Sequence, residues 1–157
     1  MYYGNITFMA YIIGTLFLWV LLVLIIAPYK ERKTYYSALI FSGLLGIISD
    51  LYGVTYNQWI YNGPTVGGLS LWSVLGIAPA EGGLFIRLFP TRHHWLLKTS
   101  YLFGWSLLNT AGEWFFMETG WIEYIQWNPL RALLFYLFFF GAVWVQEYWY
   151  NGTGRIR

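Results

Sequence analysis

Asp50, Glu81 and Glu113 each lie inside a long hydrophobic stretch, where an ionisable side chain is out of place. On membrane-insertion scales such a group costs roughly 2.5–3.5 kcal/mol at a helix centre, so it is expected to face the bundle interior and find a partner. Glu113 also has company. Ser106, Asn109, Thr110 and Glu113 recur at i, i+3, i+4 and i+7, which places all four on one face of a helix. Lipid satisfies none of their hydrogen bonds, so that stripe must meet protein or water. Two uses remain open. The stripe lines a small hydrated cavity that anchors the polar end of a ligand, or it is a ladder of interhelical hydrogen bonds worth about 1 kcal/mol each.

Asp50 belongs to a second stripe, Ser42, Gly46, Ser49, Asp50 and Gly53, whose small side chains let helix backbones approach closely. Its first reading is packing. Ser73, Gly76, Ala80 and Gly83 repeat that pattern around Glu81. Pro79 lacks the N–H that would bond the Leu75 carbonyl, so a bend is expected there. The freed carbonyl would lie beside Glu81, able to hold a cation or a water.

Other chemistries lack their residues. Without cysteine there is no disulfide scaffold, thiolate metal site or cysteine nucleophile. His93 and His94 are adjacent and so do not share a helix face, and no third ligand completes a zinc site. The chain contains no Glu-x-x-His motif, no histidine inside an apolar stretch and no Gly-rich phosphate loop. No metal or cofactor is implied, and a net charge of +2 is no nucleic-acid footprint.

The elements that must position the carboxylates follow from apolar run length. The chain has 157 residues, 58% hydrophobic and 23% aromatic, with 10% charged, against about a quarter charged in soluble domains. Roughly 20 apolar residues cross a bilayer. Runs of that length occur at about 6–28, 35–56, 69–89, 95–117 and 129–150, predicting one all-α domain of five transmembrane helices over 1–157. The first run lacks a preceding basic region and a small-residue cleavage site, so it is expected to be an uncleaved helix. Segments 57–68 and 118–127 read as connections. Asn128-Pro129 is a good helix start, with Asn capping free N–H groups and Pro fitting the first turn.

Lys and Arg set the orientation. With five spans, Lys30, Arg32, Lys33, Arg87, Arg92, Lys98, Arg155 and Arg157 all fall on one side. The N-terminus is therefore expected outside and the C-terminus in the cytoplasm. Arg131 alone lies on the side of Glu113, and the spacing leaves open whether it reaches that carboxyl. Tyr and Trp flank both ends of the runs, for example Trp59, Tyr61, Trp121 and Trp127 outside and Tyr35, Tyr36, Trp95 and Trp149 inside, as anchors at the lipid–water layer. No internal repeat is visible in the sequence.

From Pro79 to Asn128 the chain resembles an uncharacterised family of small multi-spanning membrane proteins of spore-forming Gram-positive bacteria. The resemblance is carried by Pro79 and Pro90 around the third run, by Glu113 late in the fourth, and by Tyr124-Ile125-Gln126-Trp127-Asn128 before the fifth. It implies a bacterial cytoplasmic membrane and a bundle of this size, and brings no activity with it. Glu81 falls where that family would be expected to hold an apolar residue.

Three functions fit these readings. In the first, the protein binds or transports a small, largely apolar ligand or ion in a polar cavity between spans two and four, with Glu113, Asn109, Ser106, Thr110, Asp50, Glu81 and Arg131 as candidate contacts. In the second, it is a non-catalytic subunit of a larger membrane complex or a homodimer. In the third, it is an enzyme acting on a lipid, which would need two carboxyls about 5–10 Å apart or another matched acid and base. The arrangement of the three carboxylates decides how far the first reading can go.

Overall fold

The computed structural model describes residues 2–26, 32–63 and 65–151. Lys30, Arg155 and Arg157 lie outside the described residues. The described chain is mostly helical: α1 (Tyr2–Ile26), α2 (Arg32–Thr55), α3 (Ala78–Leu88), α4 (Trp95–Glu118) and α5 (Pro129–Asn151). Two segments, Tyr35–Thr55 and Pro129–Tyr150, are long and apolar enough to cross a membrane. The two connections expected to be loops carry short strands, β1 (Trp59–Tyr61) and β2 (Ile122–Tyr124), paired antiparallel with Ile60 opposite Glu123.

Local chemistry explains the helix boundaries. Asn128 Oδ1 accepts from the Arg131 amide at 3.0 Å, capping α5 just before Pro129. His94 Nδ1 accepts from the Leu96 amide at the start of α4. The bend expected at Pro79 takes a specific form. Trp72–Ile77 is a π-helix, and the Ala78 amide reaches back five residues to the Ser73 carbonyl. The wider turn ends so that Pro79 falls in the first turn of α3, where its missing N–H costs little. Within the π-helix the Gly76 carbonyl accepts from the Trp19 indole of α1 at 2.9 Å.

The third helical element is the hub. It packs against α1, α2 and α5, and Tyr101 of α4 donates to the Phe85 carbonyl at 3.0 Å. Leu84, Phe85, Phe140 and Val143 are fully buried around it. Small residues set the spacing. A Cβ on Gly82 would lie 2.2 Å from Ser42 Oγ, and one on Gly46 would lie 2.8 Å from Ala78 Cβ. The stripe of α2 therefore meets Ala78 and Gly82, while Gly76 of the other stripe is pressed against Thr15 of α1, with a Cβ there 2.5 Å from the Thr15 methyl.

The fold contains a repeat that the sequence conceals. Shifting by 63 residues carries Arg32 to Trp95 and Thr55 to Glu118, the limits of α2 and α4. It carries Trp59 and Tyr61 to Ile122 and Tyr124, the limits of β1 and β2, and Leu88 to Asn151, the ends of α3 and α5. Hydrogen bonds follow. Gln58 N–H to the Gly53 carbonyl (2.8 Å) becomes Trp121 N–H to the Phe116 carbonyl (2.9 Å). Asn57, with φ 49°, becomes Gly120, with φ 75°. Asn62 donates to Trp121 and Ile125 donates to Gln58, each at 2.9 Å, so the strand pair is its own mirror under the shift. The two helix–strand–helix halves are thus related by a pseudo-twofold axis through Ile60 and Glu123, with α1 outside the repeat.

Trp59 is 8% exposed and lies directly on α2, where a Cβ on Gly53 would come within 2.0 Å of its ring. The ring cannot stay in place if that position gains a methyl group. Gly53→Ala is expected to destabilise the protein by about 1–3 kcal/mol, the usual penalty for overpacking. Gly104→Ala, where a Cβ meets nothing within 4 Å, is the control. Thermal unfolding of the purified proteins in one detergent measures both.

Candidate functional site

All three carboxylates singled out by the sequence line one cavity of about 410 Å³. Asp50 comes from α2, Glu81 from α3 and Glu113 from α4, with Asn109 one turn before Glu113. The cavity straddles the pseudo-twofold axis. Asp50 and Glu113 are equivalent under the shift of 63 residues, as are Gly46 and Asn109, Ser49 and Gly112, and Ser73 and Tyr136, and all eight line it. Its size suits a small molecule.

The strand pair holds two of the carboxylates. The Tyr61 hydroxyl, at the end of β1, donates to Asp50 Oδ1 at 2.7 Å. The Tyr124 hydroxyl, at the end of β2, donates to Glu113 Oε1 at 2.6 Å. In both halves the tyrosine follows its carboxylate by eleven residues. The Trp127 indole adds a second donor to Glu113 Oε1 at 3.0 Å, and the Tyr136 hydroxyl lies beside the same carboxyl. Burial, then the charge and hydrogen bond of Glu113, push the Tyr124 phenol above its ordinary range, so it remains a donor at physiological pH.

The arrangement is incomplete at two places. Asp50 is 5% exposed, and its Oδ2 makes no hydrogen bond, although the Ser70 amide lies near the carboxyl. Glu81 has no hydrogen-bond partner among the described residues, and the accessible part of its side chain faces the cavity. Acceptors are therefore left over in a pocket with no Lys, Arg or His in its lining among the described residues. No three His, Cys, Asp or Glu side chains among the described residues are grouped to hold a metal ion.

Other sequence candidates lie apart from the cavity. Ser106 Oγ bonds the Leu102 carbonyl at 2.9 Å and Thr110 Oγ1 bonds the Ser106 carbonyl at 2.9 Å, so both hydroxyls turn back on their own helix. Asn109 Nδ2 does the same with the Trp105 carbonyl at 3.0 Å, yet its side chain still borders the cavity. Arg131 is exposed and donates to the Gln126 carbonyl instead of reaching Glu113. The carbonyl that a side chain takes near Pro79 is that of Gly76, and its donor is Trp19.

Sequence reasoning missed the hydroxyl and indole donors Tyr61, Tyr124, Trp127 and Tyr136, which read as interface anchors or as part of an apolar run. It also missed Glu147, a fourth carboxylate inside the predicted spans. Glu147 is fully buried at the opposite end of the bundle, where Ser37 Oγ donates to its Oε2 at 2.8 Å. Nearby in the fold the Arg87 guanidinium donates to the Tyr35 hydroxyl at 3.3 Å. No family model, curated protein or solved structure matches the chain.

The two tyrosine–carboxylate pairs differ in redundancy. Tyr61→Phe removes the side-chain donor to Asp50 and is expected to cost about 1–3 kcal/mol, the price of a buried acceptor left unsatisfied. Tyr124→Phe leaves Glu113 with Trp127 and should cost less. Thermal unfolding of the two variants side by side checks the order, and equal losses would contradict it.

Proposed function

We propose that the chain is an integral protein of a bacterial cytoplasmic membrane, crossing it five times. We propose further that it binds or transports a small, largely apolar ligand or ion in the cavity between α2, the third helix and α4. The membrane reading is supported by what the surface exposes. Phe17, Ile48, Leu75, Leu108 and Phe138, one on each helix, are 59–69% exposed, and a water-soluble surface does not carry apolar side chains all round. At about 1.5 Å per residue the 24 residues of α4 extend about 36 Å, long enough for the hydrocarbon core. Its tryptophans, tyrosine and polar stripe lower its mean hydropathy.

The ligand reading rests on one observation, the convergence of Asp50, Glu81 and Glu113 on a single cavity. Packing alone would tuck each carboxyl against a different neighbour. Instead, two are held by strand tyrosines at the rim of one pocket and the third has no bond at all. The stretch that carries the family resemblance, Tyr124 to Asn128, supplies two of the donors to Glu113.

Glu113→Gln keeps the shape of the side chain and removes its charge. Small molecules retained by the purified protein are extracted and compared by mass spectrometry with those of the variant. A species retained by the parent protein should fall at least tenfold in Glu113→Gln, with elution and melting unchanged. The same complement from both proteins would defeat the ligand reading. Orientation is tested separately in intact cells with a membrane-impermeant thiol reagent, since the chain has no cysteine of its own. Glu123→Cys should label and His93→Cys should resist. Gly63 is unsuitable for such a probe, because a Cβ there would lie 2.1 Å from the Trp121 ring.

A further inference from the structure

We propose that the occupant of this cavity is an organic cation with an apolar body, admitted sideways between α1 and α4. The proposal rests on the ligand reading above and adds the charge of the ligand and its route. Charge comes first. Three carboxylates share the cavity, its lining holds no basic side chain, and two acceptor positions, Asp50 Oδ2 and the Glu81 carboxyl, are unbonded. A carboxyl held away from water is either protonated or paired with a positive charge, and a cation entering the cavity supplies that pairing. A bare metal ion fits poorly, because no three of the candidate ligands among the described residues are grouped to share one. Aromatic side chains also line the cavity, among them Trp59, Trp127, Phe116, Phe135 and Phe139. Ring faces beside carboxylates are the combination that recognises an ammonium or other delocalised cation attached to apolar groups.

The route follows from exposure. Among the described residues lining the cavity, Gly14 and Phe17 on α1 and Leu108 on α4 are the exposed ones. The opening therefore lies on the flank of the bundle. Two glycines face each other across it in the sense that each borders the cavity, Gly14 from α1 and Gly112 from α4, and a Cβ at either would meet nothing within 4 Å. Gly46, Gly53 and Gly76 are pressed against neighbours, whereas these two leave room beside the cavity. In a bilayer that gap faces lipid, which is where a lipophilic cation accumulates.

Tetraphenylphosphonium and tetraphenylborate test this, being matched in shape and opposite in charge. Equilibrium binding is measured to the full chain in nanodiscs of zwitterionic lipid, with empty nanodiscs subtracted. Saturable binding of the cation alone is expected, weakened at least tenfold in both Glu81→Gln and Asp50→Asn. Melting and elution are recorded for each variant, and either variant suffices if the other does not fold. Equal binding of both probes, or preference for the borate, would overturn the cationic ligand and leave the cavity reading intact. No saturable binding of the cation would also overturn it, and the extraction experiment on Glu113→Gln would then judge the cavity reading on its own. Gly14→Leu tests the route: association should slow by at least fivefold, whereas Gly104→Leu, outside the cavity, should leave it unchanged. Unchanged association in Gly14→Leu would overturn the side portal.

Discussion

The pairing of two three-residue strands, far apart in the chain, is the interaction on which the rest of the site depends. Alone, so short a ladder has little stability. Here it is fixed from below, because each strand ends in a tyrosine bonded to a carboxylate of the helix that precedes it. The strands hold the tyrosines, the tyrosines hold Asp50 and Glu113, and the helices return the strands to each other. Trp59 and Trp121, both nearly buried, fill the space beneath the ladder and keep water from its hydrogen bonds. Loss of one link loosens the others, since they form a single closed circuit.

Symmetry explains why two carboxylates can face one cavity. An antiparallel pair with Ile60 opposite Glu123 has a twofold axis at its centre, so whatever hangs from one strand hangs equivalently from the other. α2 and α4, each leading into its strand, then occupy equivalent places in the two halves. Glu81 breaks the pattern, as its counterpart under the shift is Trp144, outside the cavity. One half thus supplies two acids and the other supplies one, and the site is symmetric in frame but not in charge.

Much of this was legible in the sequence, and the reasons for the rest are physical. Run length and the Asn128-Pro129 cap marked where helices begin and end, because both depend on neighbouring residues. The face shared by Asn109 and Glu113 was also visible, since helical period fixes it. Period says which side a group is on, however, and not what it bonds: Ser106 and Thr110 share the side and turn back to their own backbone. Strands of three residues carry no usable periodicity, and their partners lie across half the chain. The repeat was hidden because geometry, rather than side chains, is what recurs. Gly53 and Phe116 occupy equivalent places with opposite bulk, and Tyr61 and Tyr124 are among the few coincidences.

α1 has no counterpart in the duplicated halves, and it packs along the third element. Trp19 reaches the Gly76 carbonyl, and Thr15 rests where a Cβ on Gly76 would lie 2.5 Å from its methyl. Both contacts fall on the π-helical turn of the third element, and further along α1 Leu22 is buried against Gly83 of α3, while α5 is fastened to α2 and α4 without it. The molecule therefore separates two duties that compact bundles usually merge. Four walls carry the cohesion of the fold, and a fifth leans on them like a door on a single hinge post. Widening the gap beside that door strains the indole contact and the seat of Leu22 in the core, and leaves the clasp and the acids in register.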